Sequence, residues 1–90
     1  MEKTVITVVG KDAVGILYKC SEFLYQHNVN IKDIAQTVLD GFFNMMMIVD
    51  VAGIDQSFES FAKDMKEMGS QMGVDIRCQK EEIFDMMHRI

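Results

Sequence analysis

The chain contains no proline, so breaks between its elements must come from glycine, asparagine and aspartate. It has no run of about 20 apolar residues, the length that spans a bilayer. Its opening, MEKTVITVVG, lacks both the long apolar core and the small-residue cleavage site of a secretory signal. A cytoplasmic protein with no membrane partner is therefore expected. Cysteine is sparse, and Cys20 and Cys78 form no CxxC pair, which fits two reduced thiols acting as small hydrophobes. A basic excess is also missing. Nine Lys and Arg stand against fourteen Asp and Glu, for a net charge of −5. That balance argues against nucleic acid, whose phosphates call for a basic stripe, and against anionic membranes. The two histidines, His27 and His88, have no metal-ligand spacing, and no Cys–His or Ser–His–Asp set can be drawn. Gly10 and Gly15 match neither a GxGxxG fingerprint nor a phosphate-binding P-loop. Catalysis, a metal and a cofactor are all not expected.

What is present is patterned. Ninety residues, 49% of them hydrophobic, make one domain and argue against disorder. Residues 3–9 are rich in β-branched side chains and apolar on both alternating sets, as in a strand in the middle of a sheet with both faces covered. Gly10 is expected to end it. Asp12 is expected to cap a helix over 13–27 whose buried stripe is Ile16, Cys20, Phe23, Leu24 and His27. His27-Asn28 ends that helix. A second, more polar strand spans 30–39. Asp40-Gly41 is a strong type I′ hairpin signal, and 42–51 returns as a third strand with Phe43, Met45, Met47, Val49 and Val51 on one face. After a break at 53–55, a helix over 56–72 carries Phe58, Phe61, Ala62, Met65, Met68, Gly69 and Met72 on its apolar side, with Gly73 as its cap. Residues 74–79 alternate as a half-exposed edge strand. The nine methionines are explained mainly by core packing.

The order is β-α-β-β-α-β. Right-handed crossovers make each half a split unit, which puts strands one and three at the centre and two and four at the edges. The expected fold is α+β, a ferredoxin-like sandwich with a four-stranded antiparallel sheet and two helices on one face. Residues 1–80 would form the domain and 81–90 a short C-terminal helical tail.

With GKDAVGIL at the first strand–helix junction and NVNIKDI opening the second strand, the chain resembles an ACT domain over roughly residues 4–78. It is similar to small single-ACT bacterial proteins and to the repeats of the glycine-cleavage regulator family. One departure is plain: many ACT loops carry a proline before the second glycine, and here the loop reads Asp12-Ala13-Val14-Gly15. The resemblance implies a regulatory module that binds an amino acid or another small ligand near a domain–domain interface, as a homodimer. It implies that Gly10, Lys11, Asp12, Ala13, Val14 and Gly15, with Asn30 and Ile31, face the ligand. Other families of this fold fit less well. The first loop has no phosphate-holding arginine and no metal-carrying CxxC, and the charge is wrong for RNA.

The residues themselves leave two readings of this loop. Free N–H groups at a helix start favour a carboxylate, Lys11 can add a charge-assisted bond, and Asn30 can both donate and accept. Equally, Asp12 can be a plain cap, Gly10 a turn, Gly15 a packing glycine, Asn30 a loop-satisfying amide and Lys11 a solvated side chain. The alternative function is a protein-interaction module without a small ligand, assembling through its apolar tail. Either way, a chain with no catalytic domain must act on a separate, unidentified protein target.

Overall fold

The structure is a computed structural model, and it describes residues 2–11 and 15–81. Its elements run β1 (Lys3–Lys11), α1 (Ile16–Gln26), β2 (Asn30–Leu39), β3 (Phe42–Asp50), α2 (Phe58–Met72) and β4 (Val74–Lys80). The strands form one antiparallel sheet in the order β2-β3-β1-β4. The ferredoxin-like reading of the sequence is therefore correct, including which strands lie inside and which at the edges. The expected C-terminal helix lies, apart from Glu81, outside the described residues.

Local chemistry accounts for most boundaries. Asp40 and Gly41 both take positive φ, 53° and 80°, as a type I′ turn requires, and Leu39 pairs with Phe42 across it. Ser57 caps α2 by accepting from the Ser60 N–H at 3.2 Å, and Gly73 closes the helix at φ 79°. Asn28 carries the left-handed conformation after α1, at φ 62°. Between Ile31 and Asp33 the β2–β3 register shifts by one residue, so Lys32 is a bulge.

The core lies between the helices and one face of the sheet. Ile6 and Val8 of β1, Met45, Met47 and Val49 of β3, and Val74 and Ile76 of β4 meet Cys20 and Leu24 of α1 and Phe61 and Met65 of α2. Met47 and Phe61 are wholly buried, and each such side chain contributes about 1.5–3 kcal/mol. Among the described residues no helix is long and apolar enough to cross a membrane.

Three expectations need correction. β1 does not end at Gly10; it continues to Lys11, because Gly10 pairs with Phe43 on one side and Val74 on the other. α1 starts at Ile16, not at 13, so its N-cap is Gly15 and not Asp12. Finally, β1 is central, but among the described residues helices cover it on one face only. On the other face Val5 is buried, Thr7 half-buried and Val9 exposed.

Candidate functional site

β1 delivers the first part of the expected site. A Cβ on Gly10 would lie 2.7 Å from Val74 Cγ1, so this glycine is required by the approach of β4. The space left by its missing side chain is already filled from within the chain. Lys11 is exposed and pairs with Phe42. Asp12, Ala13 and Val14 lie outside the described residues. Gly15 has φ 82°, and a Cβ there would meet nothing within 4 Å. Its requirement is the left-handed backbone, which glycine adopts at no steric cost, and not tight helix–sheet packing.

Gly15 gives α1 no side-chain cap, and no acidic residue stands in the first turn. The Gly15 carbonyl accepts the first helical bond, from the Lys19 N–H at 2.9 Å. This end of α1 thus has the positive partial charge of free N–H groups with no carboxylate of α1 on it.

Asn30 and Ile31 stand elsewhere. Asn30 pairs with Asp50, whereas Gly10 pairs with Phe43, so the two groups are separated by seven residues along β3, or about 23 Å. Within one chain the expected site residues are divided between opposite ends of the sheet. Register decides this: β1 and β2 both run antiparallel to β3 and hence parallel to each other.

The start of β2 is held from below. The His27 Nδ1–H donates to Asp55 Oδ1 at 2.9 Å, and the His27 ring lies 4.4 Å from that of Phe23. Asn28 Nδ2 donates to the Gly53 carbonyl at 2.9 Å. Asp50, beside Asn30 in register, accepts from the N–H groups of Ala52 (3.0 Å) and Glu2 (3.1 Å). The Ala52 bond above all, with help from Glu2, the N-terminal charge and Lys32, holds its carboxyl below the usual aspartate range against some desolvation. Sequence reasoning passed over Asp50 and Asp55. The signal for both was an aspartate at the end of a strand or in a turn, where it bonds nearby backbone.

The remaining reactive groups are quiet. Burial pushes the Cys20 thiol up to about 11; burial, and then the nearby Cys20, pushes Cys78 up to about 12. Neither is a thiolate near neutral pH. Among the described residues no group of three His, Cys, Asp or Glu is placed to hold a metal ion. A cleft of about 280 Å³ lined by Glu2, Lys3, Thr4, Val51, Lys80 and Glu81 lies at the end of the sheet away from Gly15.

Comparison with known proteins gives this geometry a family. The ACT domain family matches residues 2–79. A UPF0237 protein of Bifidobacterium longum is 54% identical over 90 residues, covering all of both chains. The solved ACT domain protein of Streptococcus pneumoniae superposes with a TM-score of 0.81 at 38% identity, over 93% of this chain and 94% of that one. A glycine cleavage system transcriptional repressor shares the fold at a TM-score of 0.72 and 20% identity, over 88% of this chain and 45% of its own. The chain therefore belongs to the ACT domain family, a family of small-ligand-binding regulatory domains.

Proposed function

We propose that the protein is a regulatory module that senses an amino acid at the interface of a homodimer joined through its β2 edges. The observation that carries this reading is where the apolar surface lies. Of the nine large hydrophobic residues exposed among the described residues, six belong to β2 and α1: Ile31, Ile34, Val38, Leu17, Tyr18 and Tyr25. They flank an edge strand whose backbone groups are open to pairing.

Antiparallel pairing of two β2 edges solves the separation seen within one chain. It sets the partner's strand start opposite the end of β2, at the Lys11 and Gly15 end of the sheet. Three strand spacings then separate Lys11 from the partner's strand start, about 14 Å, in place of the full sheet length. An amino acid there has its carboxylate drawn to the start of α1 and to Lys11, and an amide side chain at hand from Asn30. Occupancy would then alter the dimer, and a separate target protein would read that change.

The test is thermal unfolding against single amino acids at millimolar concentration. One of them should raise the midpoint of the wild type selectively, and Lys11→Ala and Asn30→Ala should each abolish the shift without lowering the unliganded midpoint. Because the site takes one residue from each protomer, mixing the two variants should restore binding to half the interfaces. No shift with any amino acid, in a protein that remains dimeric, would favour an assembly module without a ligand.

A further inference from the structure

Val5 and Val9 share a strand and a face of the sheet, the face turned away from α1 and α2, yet Val5 is 4% exposed and Val9 43%. Both have a strand on either side. Val5 pairs with Ile48 and Gln79, and Val9 with Asn44 and Asp75. Neighbouring strands shield a side chain on its flanks, and closing its outer end takes a layer above the sheet. The same gradient crosses the whole face: Ile48 and Gln79 are half-buried, whereas Asn44, Met46 and Asp75 are exposed. This burial is that of a single chain, so its cause lies within that chain. Among the described residues both helices pack on the other face.

We propose that residues 82–90 fold back as a short helix over this end of the face and cover Val5 and Ile48. The chain leaves the sheet at the required place. β4 ends at Lys80, which pairs with Thr4, one row from Val5, and Glu81 is already helical. The sequence that follows suits the role, because Ile83, Phe84, Met87 and Ile90 recur at helical spacing and form one apolar side.

Length matches the gradient. Nine residues of helix measure about 14 Å, or about four rows of a strand at about 3.3 Å each. A helix that starts at the Thr4 row covers Val5 and Thr7 and stops short of Val9. An extended tail would span about 30 Å and bury Val9 as well. The observed order, with Val5 buried, Thr7 half-buried and Val9 exposed, is that of the helix. The tail then completes the cover of β1 within its own chain. It is not free to join copies, which removes the contact on which assembly through the tail rests. Neither the β2 edge nor the amino-acid site is involved.

A nitroxide label on Asp85→Cys, read by the loss of amide signals in isotope-labelled protein, tests this. Asp85 falls on the side of such a helix opposite Ile83 and Met87, so the label leaves the contact intact. The wild-type chain treated in the same way is the control for its own two thiols. Val5, Ile48 and Gln79 should lose the most signal, Val9 and Asn44 less, and Met65 of α2 least. A mixture of spin-labelled chains with separate isotope-labelled chains should not reproduce this pattern. If it does, the tail docks on a second copy and the proposal is overturned; loss centred on α2, or spread evenly over both faces, overturns it too. Phe84→Lys in the full chain should lower the unfolding midpoint by several degrees and leave the sedimenting mass unchanged. An unchanged midpoint overturns the proposal, and a halved mass with it would assign the tail to assembly.

Discussion

A Cβ on Gly69 of α2 would lie 2.6 Å from Ile76 Cγ1 of β4, so helix and sheet touch there with no space for a methyl group. Alanine is the better helix former by about 1 kcal/mol, yet overpacking a close-packed site costs about 1–3 kcal/mol. Packing wins here, because the Val74 carbonyl, at 3.0 Å, blocks the other way out. Gly69→Ala is expected to lower the unfolding midpoint, by about 4–8 °C per kcal/mol in a domain of this size. A rise would mean that α2 can lift off the sheet without cost.

Thr4 should behave in the opposite way. Its hydroxyl is wholly buried on the core face of β1 and has no hydrogen-bond partner among the described residues. Leaving such a group unpaired costs about 1–3 kcal/mol. Thr4→Val keeps the shape and removes the unpaired group, so differential scanning calorimetry should record a higher midpoint. A fall of several degrees would reveal a partner for the hydroxyl.

The thiols make an alkaline prediction. Both have folded pKa values, about 11 and about 12, above that of an unfolded cysteine. A group raised in this way contributes stability that is intact below the unfolded value and is lost as pH rises toward the folded one. Denaturant midpoints should therefore decline above about pH 8.5, and less steeply in Cys20→Val. At pH 8 neither thiol should react with a disulfide reagent until the protein unfolds. Fast labelling of the native protein would contradict the burial of Cys20 and the raised pKa of the half-buried Cys78.

Asp50 works at the acid end. Its folded pKa is depressed by the Ala52 and Glu2 N–H groups, so its contribution is present above the unfolded value and disappears as pH falls through the folded one. Asp50→Ala should flatten the loss of stability below about pH 4. Equal acid sensitivity in the variant would show that these two bonds do not matter to folding.

Sequence made the hairpin, the strand order and most of the core legible, because those rest on short-range chemistry. Asp40-Gly41 needs only its own dihedral angles, and Phe43 to Val51 need only alternation. Gly10 was misread because its reason is Val74, sixty-four positions away, and a local reading treats a glycine after a strand as an ending. Asp12 was misread in turn: a strand extended to Lys11 leaves the helix to begin later, at a glycine cap. The two halves of the site were named as residues but not located. Their separation is a matter of register, and it appears only once β1 and β2 are both aligned against β3.

β1 occupies the middle of the sheet, yet one of its two neighbours is the last strand, with Thr4 paired to Lys80. During synthesis the hairpin of β2 and β3 can close, and β1 can join it, well before residues 74–80 leave the ribosome. Until then β1 carries an open, strongly apolar edge. The nascent chain is therefore most prone to pair wrongly with its neighbours in the interval before β4 emerges, and a translational pause just upstream of Val74 would lengthen that exposure.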